Sequence, residues 1–470
     1  MGLLPVPGPG MEFMAVDITP LEEWIAAGLG AGSRRLTREA LDAWHLKKLK
    51  ETIALARSKS RFYRERLARL SEDRLCDPGD LRLFPFTTAA DIRNDPGSFL
   101  CVSQDEVSRV VTLHTSGTTG PPKRVYFSRE DQERTIDFFR CGMSVLAGRG
   151  DRVLILLPGG RPGSVGDLLA VGLERLGAVP VAHGFVRDPR ATLDVMERER
   201  IDVLVGVPTQ VLALGKTSSG RAAPRNVLLS TDHVPASLSG ELRRLWGCEV
   251  FSHYGMTEMG FGGGLECGAH SGYHMREADL YFEIVRPETG EPAAKGEWGE
   301  VVFTTLTRKA MPLIRYRTGD RSRFLPEACS CSTVLRTMEP IRSRVDAGVS
   351  LEGGGAVSMA DLDEALFPVR GVVDFTASVT RDGTVECLRL QVRTVGEPAP
   401  GLAEEVAAAL DAVPAIRSAR ARGLLRVPVR VRRWEGVSGE TAKRSIADGK
   451  NRKGSGYEHF QELGSPAGRW

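Results

Sequence analysis

Five short apolar runs, at residues 153–157, 178–182, 202–207, 226–229 and 249–252, alternate with four segments of helical periodicity, at 167–176, 190–200, 209–214 and 239–246. Strands apolar on both faces need cover on both sides, so this alternation predicts a parallel sheet flanked by helices. Ligands of such sheets bind beyond the carboxyl ends of the strands. That places a candidate site at the loops after Leu157, Val207, Leu229 and Ser252.

The flanking regions read differently. Residues 1–34 are rich in Gly, Pro and Met without lasting periodicity and are expected to be loosely ordered. Leu41, Trp44, Leu49, Ile53 and Leu55 are spaced for amphipathic helices within 36–70. After residue 278, shorter runs at 280–285, 300–306 and 312–316 are joined by Gly/Pro turns and predict antiparallel strands. Glycines at 348 and 353–355 then break the pattern. Beyond them come a helix at 359–366, strands at 372–379 and 385–392, a helix at 402–410 and a strand at 424–431. The expected fold class is α/β: a large N-terminal domain, 1–345, with a parallel helix-covered sheet plus an antiparallel β part, and a small C-terminal α+β domain, 346–470.

Sixty-three basic against 60 acidic residues leave +3, too little for a dedicated nucleic-acid or membrane-surface binder. No run approaches the ~20 apolar residues of a membrane span. Residues 1–9 carry no basic residue ahead of an apolar core, so no secretory leader is expected and a cytoplasmic location follows. Eight cysteines then mean reduced thiols or metal ligands rather than a disulfide framework.

One loop stands out chemically: Thr115-Ser116-Gly117-Thr118-Thr119-Gly120-Pro121-Pro122-Lys123, between two β-like stretches. Hydroxyls and glycines let a backbone wrap an anion, and Lys123 adds charge. The GxxxxGK[ST] spacing of a Walker loop is absent. From physics alone, a phosphate cradle and a Ser/Thr/Gly-rich hairpin turn both remain open.

The loop nevertheless resembles the phosphate-loop signature of the adenylate-forming superfamily of acyl- and aryl-CoA synthetases, luciferases and adenylation domains. Tyr254-Gly255-Met256-Thr257-Glu258 and Tyr316-Arg317-Thr318-Gly319-Asp320 are similar to two further signatures of that superfamily, in the same order. Pro85-Phe86-Thr87-Thr88 and Pro287-Glu288-Thr289-Gly290 are similar to the phenylacetate–CoA ligase branch. The resemblance implies an enzyme that uses ATP and Mg²⁺ to adenylate a small, aromatic carboxylic acid and passes the acyl group to coenzyme A. It leaves open another acceptor, such as a carrier protein, a cofactor or another thiol, a degenerate adenylate-binding protein, and a homodimer. By resemblance Thr115–Gly120 would hold phosphates, Glu258 would bind Mg²⁺, Thr257 would contact the α-phosphate and Tyr254 would stack on adenine beside Gly255. Asp320 would accept the ribose hydroxyls, Arg317 and Arg344 would make further phosphate or ribose contacts, and Asp346 would be the hinge of a mobile small domain.

The chain departs from the pattern in three places. Ser230-Thr231-Asp232 replaces the usual Gly-Ala-Glu or Gly-Gly-Glu, and Glu352 stands where a basic residue is usual. The family's C-terminal catalytic lysine falls on Thr441 if Arg444 anchors the register, so Lys443 is taken as the catalytic lysine, with Lys450 and Lys453 as substitutes. Cys267, His274, Cys329 and Cys331 could close a structural Zn²⁺ site, as some relatives of the branch do, or remain separate thiols. His253 and His114 lie near the motifs, as substrate contacts or as locally bonded residues. Arg426, Arg430 and Arg432 are expected on one strand face, solvated or receiving the phosphates of coenzyme A.

Overall fold

Strands Arg152–Ile155, Val179–Ala182, Val203–Gly206, Asn226–Leu229 and Glu249–Tyr254 form the parallel sheet that the sequence predicts. The computed structural model describes residues 17–30, 35–113, 122–345, 348–383, 385–436 and 444–450. Strand Arg152–Ile155 lies between Val179–Ala182 and Val203–Gly206, so the winding direction reverses there. Alternate residues serve two cores. Val153, Ile155, Val203 and Val205 point to one, while Leu154, Leu204, Val227 and Leu229 point to the other. That division explains why the runs are apolar throughout.

Three antiparallel strands, Gly264–Glu266, Tyr273–Met275 and Thr337–Met338, extend this sheet past Glu249–Tyr254. They are too short and Gly-rich to stand out in the sequence. A second sheet contains Leu280–Val285, Gly299–Thr305, Tyr316–Ser322 and Ser343–Arg344. The strand expected at 312–316 begins only at Tyr316. Arg315 takes a left-handed φ of +47° and buries its guanidinium against Glu283 at 2.9 Å, which breaks the extended run before it.

Part of the N-terminal stretch expected to be loose is a helix. Pro20–Gly28 buries Leu21 and Ile25 completely, and the Trp24 indole donates to Asp137 at 2.6 Å. Residues 1–16 and 31–34 lie outside the described residues. Helix Arg129–Met143, unexpected from its charged sequence, starts at a Ser128/Asp131 capping box and buries Ile136, Phe138 and Phe139.

A further sheet pairs Val372–Asp382 with Val385–Thr394 and Ile446–Asp448. The strand expected at 424–431 is two strands, Leu425–Arg426 and Val429–Arg433, because Pro428 cannot donate a ladder hydrogen bond. Arg426 therefore does not share a strand with Arg430 and Arg432, and all three are exposed. Helix Pro414–Ala421, unexpected from the sequence, precedes them. Helix Pro208–Ser218 packs on strand Val372–Asp382, and helix Met359–Leu366 on Ala236–Trp246. One apolar cluster, including Leu212, Leu242, Trp246, Phe367 and Val372, runs through this contact. Among the described residues, no helix is long and apolar enough to cross a membrane.

Candidate active site

A cavity of about 470 Å³ opens where the carboxyl ends of the parallel strands meet the second sheet and residues 348–363 and 444–448. That volume is typical of small-molecule sites. Thr231 and Asp232 follow strand Asn226–Leu229, Tyr254 ends the next strand with Gly255 just after it, and Asp320 and Arg344 enter from the second sheet. The Tyr254 hydroxyl donates to Asp320 Oδ2 at 3.0 Å, and both residues are buried. Burial holds the phenol well above its ordinary range, so it stays a donor. Arg344 Nε stands 3.7 Å from Asp320 Oδ1, and its Nη2 donates to the Thr318 carbonyl at 2.8 Å.

Two motif glycines are required by space. A Cβ at Gly255 would come within 2.2 Å of the Phe261 carbonyl oxygen. Gly319 has φ +74°, and a Cβ there would meet Arg344 Nη2 at 2.7 Å.

Glu258 sits in the buried 3-10 turn Thr257–Met259, which Thr257 opens half-buried. Its Oε1 is ion-paired with Lys123 and accepts from the Tyr316 hydroxyl at 3.0 Å. Burial pushes this carboxyl up, but Lys123 and Tyr316 outweigh it, so the group stays ionised below the usual range. Sequence alone assigns Tyr316 no role. Its place inside a signature was the only available signal.

Thr115, Ser116, Gly117, Thr118, Thr119 and Gly120 lie outside the described residues, as do His114, Asp346, Thr441, Lys443 and Lys453. The strands flanking the loop, Val107–Leu113 and Lys123–Ser128, pair antiparallel, and this brings Lys123 to Glu258.

Arg317 is not brought to the cavity. It is ion-paired with the buried Glu300, donates to the Pro287 carbonyl at 3.0 Å and lies over Phe86. The alternation along strand Tyr316–Ser322 sends it to the opposite face from the Tyr316 side chain. Lys450 is likewise engaged, 2.9 Å from Glu386, and Glu352 pairs with Arg381. His253 Nδ1 lies 3.0 Å from the Ser230 hydroxyl, and burial pushes its imidazole down to about 4, so it is neutral.

Arg444 is more deeply built in than an anchor residue requires. It bonds Asp363 at 2.7 Å, approaches Asp374 at 3.4 Å and lies over both Phe367 and Phe375. Both Arg444 and Asp363 line the cavity.

Cys267, His274, Cys329 and Cys331 are brought together, their ligand atoms all within 4.8 Å of one another and all four residues buried. His274 Nε2 stands 3.3 Å from Cys267 and 3.4 Å from Cys331, and the Cys267 and Cys329 sulfurs are 3.7 Å apart. A tetrahedral Zn²⁺ with ordinary bond lengths would set these edges at about 3.5 and 3.8 Å. The set can therefore hold a closed structural metal.

A helix-covered parallel sheet, a cavity at its carboxyl ends with the Tyr254–Asp320 pair on its wall, and the buried Lys123–Glu258 pair define an adenylate-forming enzyme. The chain belongs to the AMP-binding enzyme family, whose match spans residues 45–306. Within that family it falls on the phenylacetate–CoA ligase-like branch of AMP-forming acyl-CoA ligases. It is 30% identical over 381 residues to phenylacetate-coenzyme A ligase of Thermus thermophilus, covering 77% of this chain and 83% of that one. The Escherichia coli phenylacetate-coenzyme A ligase is 30% identical over 371 residues, covering 75% and 82%. Among solved structures, 2-hydroxyisobutyryl-CoA ligase in its postadenylation state superposes with a TM-score of 0.74 at 19% identity, covering 88% of this chain and 90% of that one.

Proposed function

We propose that the chain uses ATP to adenylate a small aromatic carboxylic acid and then transfers the acyl group to coenzyme A. The observation that carries this reading is the similarity to phenylacetate-coenzyme A ligases over three-quarters of the chain, together with a cavity lined by Tyr254, Gly255, Gly319 and Asp320 of two matched signatures. In this reading Asp320 accepts the ribose hydroxyls, and Tyr254 lends its ring to adenine while its hydroxyl orients Asp320. Arg344 and the 115–120 loop hold phosphate oxygens, and Thr257 contacts the α-phosphate.

Glu258 offers a buried, ionised carboxylate, a hard oxygen donor suited to Mg²⁺. Its pairing with Lys123 is already neutral, so a divalent cation fits there only together with the anionic triphosphate. When bound, the ion neutralises charge on the phosphates. Lys123 is then freed to face the same anion. Charge from carboxylate and α-phosphate gathers as they meet, and we assign Lys443, the chain neighbour of Arg444, to that point. The division into domains 1–345 and 346–470 with a hinge at Asp346, the structural Zn²⁺ on the Cys267 set, the cytoplasmic location and a homodimer belong to the same proposal. Gel filtration tests the last of these.

The decisive experiment is a screen of carboxylic acids, beginning with phenylacetate, for pyrophosphate release from ATP and Mg²⁺ in the absence of thiol. Thioester formation on addition of coenzyme A then tests the acceptor. No release with any acid refutes the reading.

A further inference from the structure

Two helix ends meet across the contact between the large and small domains, and each receives a charge from the opposite side. After helix Met359–Leu366 of the small domain, the carbonyls of Phe367, Val369 and Val372 accept from the Lys216 ammonium at 2.9, 3.0 and 2.8 Å. Lys216 belongs to helix Pro208–Ser218 of the large domain. In the other direction, helix Ala236–Trp246 of the large domain has Pro235 at its N-cap and no side-chain cap of its own. Its Ala236 and Ser237 amides donate to the Glu364 carboxylate at 2.7 and 2.8 Å.

Both charges have the sign that helix ends favour, a cation at the C-terminus and an anion at the N-terminus. An ammonium has three donors, and here each finds a carbonyl. The apolar cluster shared by the two domains is non-directional and tolerates sliding. The five hydrogen bonds are directional, and they fix where helix Met359–Leu366 stands. That helix carries Met359, Ala360 and Asp363 into the cavity wall, and Asp363 holds Arg444.

We propose that Lys216 and Glu364 are positioning residues that hold the small domain's wall of the nucleotide cavity in place for the adenylation step. The proposal rests on the adenylate-forming reading above. Because the contacts are polar and sit at helix ends, water can replace them when the domains part. The pair therefore acts on the step that needs this wall and not on the capture of a preformed adenylate by thiol.

The test uses the full chain with substitutions Lys216→Met, Lys216→Arg and Glu364→Gln, and phenylacetate, ATP and Mg²⁺ as probes. Pyrophosphate release and the consumption of supplied phenylacetyl-adenylate by coenzyme A are measured separately. Lys216→Met and Glu364→Gln are expected to slow pyrophosphate release about tenfold or more and to leave adenylate consumption unchanged, with Lys216→Arg restoring release. Equal losses in both steps, no loss in either, or no restoration by arginine would overturn the assignment. Amide hydrogen exchange of the chain alone separates this outcome from failure of the enzymatic reading. Exchange at Ala236 and Ser237 should accelerate in Lys216→Met, although Lys216 does not touch these amides. If it does not change, the two contacts do not act as a unit and the proposal fails even where the wild-type chain releases no pyrophosphate.

Discussion

The Tyr254 hydroxyl donates to the Asp320 carboxylate at 3.0 Å, joining the end of a parallel strand to the middle of a second sheet. An acceptor proposed for ribose thus already has one oxygen oriented by the protein. Asp320→Ala should weaken ATP binding by about 1.5–3 kcal/mol, the worth of a hydrogen bond to a charged group. Tyr254→Phe, which keeps the ring and the carboxylate, should weaken it less. Calorimetric titration with ATP measures both, and equal affinities for wild type and Asp320→Ala would remove the ribose assignment.

Glu258→Gln preserves shape but leaves the Lys123 ammonium without its counter-charge. Pyrophosphate release should fall by roughly two orders of magnitude or more, and raising Mg²⁺ should not recover it. A Mg²⁺ titration of the release rate checks this. Wild-type rates in the variant would move the cation elsewhere.

The four ligands Cys267, His274, Cys329 and Cys331 predict close to one Zn²⁺ per chain in protein purified without chelator. Cys329→Ser should lower both metal content and thermal stability. Elemental analysis finding no metal would leave four buried groups that merely pack together.

Asp363 gives a pH prediction. Burial raises its carboxyl to about 7 against the opposing pull of Arg444. A carboxyl whose folded pKa is raised binds its proton more tightly in the fold. Its contribution to stability is therefore complete below about 4, the unfolded value, and is lost as pH rises through about 7. Asp363→Asn should flatten the decline of melting temperature across that window. An unchanged slope would assign the decline to other groups.

Lys443→Ala should depress pyrophosphate release and spare thioester formation from supplied adenylate. Lys450→Ala should leave release unchanged, because Lys450 is already tied to Glu386. If Lys443→Ala proves silent, Lys123 or Arg344 carries the charge instead.

What was legible in the sequence follows from short-range physics. The five apolar runs announced the parallel sheet because its inner strands must be apolar on both faces, and two of the signatures named Tyr254 and Asp320, which meet at its carboxyl ends. The helix Pro20–Gly28 is not legible, because one turn of Leu21 and Ile25 is a weak signal amid glycine and proline. The break at Arg315 was hidden because it depends on Glu283, distant in sequence.

By itself, then, the sequence determined the sheet class and the family and singled out Tyr254, Glu258 and Asp320 as candidates, since periodicity and motif spacing are local properties of the chain. Only the tertiary structure decided which charges meet. It turned Arg317 away to Glu300, set Lys123 on Glu258, closed Cys267 and His274 onto Cys329 and Cys331, and placed Lys216 at the end of helix Met359–Leu366 and Glu364 at the start of helix Ala236–Trp246. Most of these pairings join residues more than fifty positions apart, and even Arg317 and Glu300 meet only because their strands pair. A charge's partner is set by distance and burial in the folded chain, which no local pattern encodes.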